Sequence, residues 1–409
     1  MLSDKCIEIL GQWEGYVLGS VGREGSEEDP QQIWIELLPD PTRLKRCSGC
    51  SQVVNAVHDS EERWIRDLPI LDCTTWLLVH RCRVLCPDCG PRVEELEWLG
   101  LHSRYTRRFC ESVARLCKHL PIKQVADWFG LGWHATKRID KESLQDQLGP
   151  VDFDGVEVLA MDEFAIQTGH RYATVVLDPT NKRVLWVGRG RSRESIRPFF
   201  KQMGPKACEK IKAVVMDMTA AYELEVKEHC KNAEVVFDLF HVVAKYGREV
   251  IDRVRVDEAN RLRADKAARK VVKGSRWLLL RNSENLRSRE ERVKLKDLLK
   301  ANKRLLTVYV LKEDLKHLWD YRYSGAALRF WKSWYSRAIR SRIEPLKKFA
   351  KALRRYLPGI LAHARWPLHT SVLEGVNNKI KVIKRMAYGF RDDDYFFLKI
   401  RAAFPGNHR

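Results

Sequence analysis

The sequence has no apolar run approaching the roughly 18 to 20 residues that a membrane-spanning helix requires. Its start, MLSDKCIEILG, lacks the apolar core that directs secretion. These absences point to a cytoplasmic protein with no membrane partner. No low-complexity tract suggests extended disorder and no convincing internal repeat is present, so compact modules are expected. A phosphate-cradling glycine-rich loop of the Walker type is also missing, which leaves ATP-driven P-loop chemistry without a seat. Acidic side chains are the minority, 54 against 74 basic ones, for a net charge of +20. Such a surplus repels itself in a folded monomer and is relieved by a polyanion, with nucleic acid the leading candidate.

What is present begins with length. At 409 residues the chain exceeds what one hydrophobic core usually supports, so two or three domains are expected. Eleven cysteines, an odd number scattered over the chain, argue against a disulfide framework and for metal ligation or burial. Cys47 and Cys50, with Cys86 and Cys89, form two Cys-x-x-Cys pairs in the arrangement of a zinc ribbon. Each two-residue spacer lets both sulfurs reach one tetrahedral ion, and four thiolates make this a structural zinc site. Cys73 and Cys82 read as structural neighbours.

The first hundred residues read as β-rich, with strands around Gly15 to Leu18, Ile33 to Leu38 and Trp76 to Arg81, and a turn-rich GREGSEEDPQ. This zinc-ribbon domain is expected to have little core of its own, so that chelation unfolds it. From Ser103 the period becomes helical, with Phe109, Val113, Leu116 and Leu120 on one face. In IKQVADWFGLGWHATKRID, Val125, Ala126 and Phe129 share a face, Gly130 breaks the helix, and Leu131 and Ile139 continue the apolar surface. That is helix-turn-helix spacing, over residues 101–150. It would present Trp133, His134, Lys137 and Arg138 early on a DNA-reading helix. Gly132 stands where a polar N-cap is usual, and Thr136 where an aliphatic residue is usual.

After a linker, LGPVDFDG, come VEVLAMDEFAI, HRYATVVLDP and KRVLWVG, a three-strand meander with turns at Gly169 and at Asp178-Pro179-Thr180-Asn181. A helix after Ser195, the run IKAVVMDM, a helix from Ala220 to Cys230 and the strand AEVVFD complete a mixed α/β sheet. Asp162 and Asp217 end two buried apolar strands. Carboxylates so placed can bridge two divalent ions that activate a water or 3′-hydroxyl and stabilise the leaving oxygen of a phosphodiester. Oxygen ligands suit magnesium, with manganese a substitute. Glu374, opening the basic helical segment EGVNNKIKVIKRMAYGFR, is the candidate third carboxylate. Asn378, Lys379, Lys381, Lys384 and Arg385 beside it are candidate phosphate contacts. Glu163 should face the opposite side of its strand. Asp392, Asp393 and Asp394 read as a solvated helix start.

The motifs MDEFAIQTGHRYATVVLD, VVMDMTAAY, VVFDLFHVVAKYGREVIDRVR and LEGVNNKIKVIKRMAYGF, in this order and with these gaps, resemble the ISL3 family of insertion-sequence transposases. The resemblance extends to the cysteine pairs and helix-turn-helix. It implies a ribonuclease H-like DDE core with Asp162, Asp217 and Glu374 as the triad, and a helical insertion between Asp217 and Glu374. The substrate implied is the terminal inverted repeats of a mobile element, with cleavage and joining to target DNA within a self-associated synaptic complex at the nucleoid. Asp238 and His241 resemble a family motif; they support the site or the DNA, or else cap a helix and fill a core. The core is expected over 151–249 and 359–409, around an insertion at 250–358 packed on Trp277, Trp319, Trp331 and Trp334. Two other readings of the same residues are a transposase-derived DNA-binding regulator without catalysis and a structure-selective nuclease.

Overall fold

The computed structural model describes residues 13–25, 30–100, 102–167, 169, 171–281, 285–286, 288–367 and 371–407. The signal-poor start at residues 1–11 and part of the turn-rich segment, residues 26–29, lie outside them. The chain forms two compact units that divide between Gly149 and Pro150.

The first unit contains strands β1 (Tyr16–Gly25), β2 (Pro30–Pro39), β3 (Lys45–Arg46), β4 (Val53–Val54), β5 (Val57–Ile70), β6 (Cys73–Cys86) and β7 (Gly90–Val93). β1-β2-β6-β5 form one sheet, with β7 on β6, while β3 and β4 pair separately. Alternate residues of the sheet bury Ile35, Leu37, Ile65, Leu77 and Val79 against Trp13, Leu96 and Leu99. The first hundred residues therefore exceed a zinc ribbon: they hold an apolar core that the expectation of a core-poor module did not include. β5 was also not anticipated. Its charged text, HDSEERWIRD, hides a strand that pairs Trp64 with Leu78 and Ile65 with Leu77.

Helices α1 (Arg107–Cys117), α2 (Ile122–Phe129) and α3 (Trp133–Leu148) follow. Thr106 caps α1 through the Phe109 amide. Gly130, at φ 62°, ends α2 in the left-handed conformation that turns the chain into α3. Phe109, Val113, Cys117, Val125, Phe129 and Ile139 form their shared core. Fully buried Asp67 of β5 accepts from Thr106 Oγ1 at 2.6 Å and from Arg108 Nε at 2.8 Å, fastening the sheet to α1.

The second unit opens with β8 (Val158–Gln167), β9 (Arg171–Asp178) and β10 (Arg183–Arg189), an antiparallel meander. Asp178 accepts from the Thr180 and Asn181 amides and closes the β9–β10 turn. Helices α4 (Arg193–Met203) and α5 (Pro205–Glu209) lead to β11 (Ala213–Met216), α6 (Ala220–His229) and β12 (Glu234–Phe237). The sheet order is β10-β9-β8-β11-β12, with β8, β11 and β12 mutually parallel. Leu159, Met161, Val214 and Met216 face α4 and α6. Val158, Ala160, Ala213 and Val215 face two late helices, α16 (Ser371–Met386) and α17 (Asp393–Ala403).

Between β12 and α16 the chain is helical: α7 (Leu239–Tyr246), a π-helical turn (Gly247–Ile251), then α8 (Asp252–Arg261) through α15 (Leu357–Ala362). Trp319, Trp331 and Trp334 are buried there, but Trp277 is 64% exposed and contributes no packing of the kind expected of it. A second correction concerns Asp393. It is buried, not solvated, and its charge is met by Arg189 Nε at 2.8 Å; Asp392 caps the helix, through the Tyr395 amide.

Candidate functional site

Alternation along β8 puts Asp162 on the same face as Val158, Ala160, Phe164 and Ile166, the face that α16 and α17 cover. Parallel pairing of Ala160 with Val215 brings Asp217, one residue past β11, level with Asp162. Pairing of Met216 with Phe237 brings Asp238, one residue past β12, level with Asp217. Three adjacent parallel strands thus carry aspartates at the same height; Asp217 and Asp238 follow the ends of β11 and β12, but Asp162 lies mid-strand rather than at a strand end as expected, because β8 runs on to Gln167 in its pairing with β9. Glu163 points the other way, to Arg191 Nη1 at 3.2 Å.

These aspartates line a cavity of about 980 Å³ with Glu374, Asn377, Asn378, Lys381, Lys384 and Arg385 of α16, and with His241 and Arg248. Glu374 is exposed in the first turn of α16. His241 stands among the carboxylates: Nδ1 lies 3.4 Å from Asp217 Oδ2, and Nε2 lies 3.8 Å from both Asp162 Oδ1 and Asp238 Oδ2. Asp238 also caps α7 by accepting from the Phe240 amide at 2.7 Å, so it serves the helix and the cavity together. Asp162 Oδ1 accepts from the Glu163 amide at 2.7 Å and Oδ2 from Asn377 Nδ2 at 2.6 Å. Burial pushes the Asp162 carboxyl above its ordinary range, and His241 and these two donors only partly offset that. A cation in the cavity would oppose the same desolvation. Arg248, on the π-helical turn, makes no ion pair among the described residues.

Of the α16 residues singled out as phosphate contacts, Asn378, Lys381, Lys384 and Arg385 reach the cavity. Lys379 does not line it; its Nζ donates to Ala403 O at 3.0 Å and lies over the Phe404 ring. Asp162, Asp217 and Glu374 share the cavity without closing into a single cage. Among the described residues, Cys47, Cys50, Cys86 and Cys89 are the one group of three or more potential ligands that does.

The four sulfurs lie within 4.8 Å of one another, with Cys50 Sγ and Cys86 Sγ 3.5 Å apart. Thiolates around tetrahedral zinc, bound at about 2.3 Å, stand about 3.8 Å apart, so the set fits the ion. Cys86 ends β6, and the turn to β7 carries Cys89. In the first pair the Gly49 amide donates to Cys47 Sγ and pulls that thiol down to about 7. A Cβ at Gly49 would lie 3.1 Å from Cys89 Sγ, so a side chain there would press on the facing knuckle and shift it by a few tenths of an ångström. Cys73 and Cys82 are buried outside the group.

On α3, Trp133, His134 and Arg138 are exposed and Lys137 is half-buried, with Lys137 Nζ 5.6 Å from the Trp133 ring centre. Thr136 is buried and donates to Gly132 O at 3.2 Å, which satisfies the hydroxyl inside the turn. Gly132 gives no side-chain cap.

Residues 159–400 match a family model described as transposase. Residues 94–143 match the helix-turn-helix domain of transposase family ISL3, and residues 43–89 the zinc-finger of transposase IS204/IS1001/IS1096/IS1165. The chain is 52% identical over 410 residues, 100% of both chains, to the transposase for insertion sequence element IS1001 of Bordetella parapertussis. It is 28% identical over 421 residues, 94% of this chain and 93% of the relative, to the transposase for insertion sequence element IS1557 of Mycobacterium tuberculosis (strain CDC 1551 / Oshkosh).

Proposed function

The chain belongs to the ISL3 family of transposases, and from that membership we propose that Asp162, Asp217 and Glu374 are the catalytic carboxylates of a ribonuclease H-like core. The observation that carries the assignment is the level placement of Asp162 in β8 and Asp217 just past β11, in one cavity with the helix that bears Glu374. A mixed sheet of an antiparallel meander followed by two parallel strands supports the ribonuclease H-like reading. The core takes in residues 151–249 and 359–409, with 250–358 as its helical insertion.

Two divalent cations, magnesium or manganese, would be held by these three carboxylates and supply nucleophile activation and leaving-group stabilisation. The residues of the chain do the rest. Lys381, Lys384 and Arg385 on one wall and Arg248 on another fix DNA phosphates across the acidic floor. His241 holds Asp162 and Asp217 in mutual register. In the first step a water oxygen bonds to phosphorus and the bond to the 3′-oxygen breaks, leaving a 3′-hydroxyl and a 5′-phosphate. In the second, that hydroxyl attacks a target phosphodiester; one ester bond replaces another, so no ATP is consumed.

Trp133, His134, Lys137 and Arg138 read the terminal repeats, one structural zinc on the four cysteines stiffens the module that carries them, and a homo-oligomeric synaptic complex holds paired ends at the nucleoid. The test is magnesium-dependent nicking of duplexes bearing the flanking element end by wild type and by Glu374→Gln. Wild type should cut at the end, and the variant should bind it without cutting; cutting by both removes Glu374 from the site.

A further inference from the structure

Asn377 is a residue to which the sequence drew no attention. It lies three residues after Glu374, so both leave one face of α16 and line the cavity. Its Nδ2 donates to Asp162 Oδ2 at 2.6 Å, across 215 residues of sequence. The other oxygen of Asp162 is held by the backbone of its own strand. The carbonyl oxygen of Asn377, in contrast, is buried and accepts from nothing. The amide is therefore oriented for Asp162 alone: the reversed orientation would set its oxygen against a carboxylate oxygen, acceptor to acceptor.

Resting on the assignment of Asp162 and Glu374 as ion-holding carboxylates, we propose that Asn377 is a positioning residue that locks the Asp162 carboxylate in its ligating orientation and ties it to the helix turn bearing Glu374. With only the Glu163 amide on one oxygen, the Asp162 carboxylate keeps its second oxygen unfixed until Asn377 reaches it. Glu374 arrives from a segment that must dock independently on the sheet. One short bond from Asn377 makes the two carboxylates a unit, so that the ions meet a set spacing rather than having to order it.

The experiment uses the full zinc-loaded chain. Manganese binding is read by the electron paramagnetic resonance signal of free Mn2+, alongside end-DNA affinity and single-turnover cleavage against Mg2+ concentration. Asn377→Leu keeps the volume and removes the donor. It should weaken Mn2+ binding on the order of tenfold and move the Mg2+ midpoint of cleavage upward by a similar factor, with end-DNA affinity unchanged. Asn377→Asp, of the same shape, should bind Mn2+ more tightly through its added charge yet cleave more slowly than wild type, and it also serves if the leucine variant does not fold. Wild-type Mn2+ affinity and cleavage in either folded variant overturns the proposal. Asp162→Asn separates the two levels: if it binds Mn2+ and cuts normally, the underlying assignment fails, and if it is inactive while Asn377→Leu is normal, only the role of Asn377 fails.

Discussion

His241 Nδ1 lies 3.4 Å from Asp217 Oδ2, and the opposite ring nitrogen reaches toward Asp162. A ring held this way spaces two carboxylates that come from different strands. His241→Ala should lower single-turnover cleavage about 10- to 100-fold, as loss of groups that orient metal ligands usually does. Affinity for the element end should not change, because the ring faces carboxylates. Equal cleavage by variant and wild type would contradict this role.

The zinc knuckles and the sheet core are separate sources of order in the N-terminal unit. Cys50→Ser should reduce bound zinc and expose amides of residues 43–56 and 84–94 to hydrogen exchange, while β1 and β2 stay protected. Structural zinc contributes roughly 10 to 16 kcal/mol in modules that have no other core. Here the loss is local, since Ile35, Leu37, Ile65, Leu77 and Val79 remain packed. Unchanged zinc content by metal analysis would remove the site.

Lys137 and Arg138 occupy the start of α3, where phosphate and base edges come within reach. Replacing both with alanine should weaken end binding and reduce the slope of log affinity against log salt by about 2. An unaltered preference for the end over random duplex, with an unaltered slope, would place DNA reading elsewhere.

Buried Glu225 of α6 accepts from Arg193 Nε at 2.7 Å and Arg197 Nη2 at 2.8 Å, joining α6 to α4 behind the sheet. Burial alone would raise its carboxyl, but the two arginines together hold it below the ordinary value. Because the folded value is the lower one, its contribution is present above the unfolded value of about 4.3 and is lost as pH falls through the folded value. Glu225→Gln should destabilise the second unit at pH 7 by on the order of 2 kcal/mol. It should also flatten the fall in melting temperature between pH 5 and pH 3, read by scanning calorimetry.

Much of this architecture was legible because buried strands and paired cysteines leave strong local marks. VLAMD and AVVMD each mark a buried strand that carries a carboxylate, although β8 runs on past Asp162 to Gln167, and the same signature in EVVFD marks Asp238, left between cap and site by the sequence. It caps α7 and lines the cavity, and comparing the three motifs would have drawn attention to it. β5 was hidden because its outward residues are charged and its inward ones few, so alternation fails as a signal. Asn377 and Asp393 depend on partners 215 and 204 positions away, Asp162 and Arg189, and no local pattern encodes such contacts. Trp277 misled for the opposite reason: an aromatic in a helical stretch says core by composition, but its helix turns it outward.

The most direct test of the central claim is metal rescue at the strand-end carboxylate. Asp217→Cys exchanges a hard oxygen ligand for a soft thiolate, which binds manganese better than magnesium. Single-turnover cleavage of an element end is measured in each metal. The account predicts no cutting with Mg2+ and recovered cutting with Mn2+, at the same phosphodiester as wild type. Wild-type cutting in Mg2+ would show that Asp217 holds no ion and contradict the assignment.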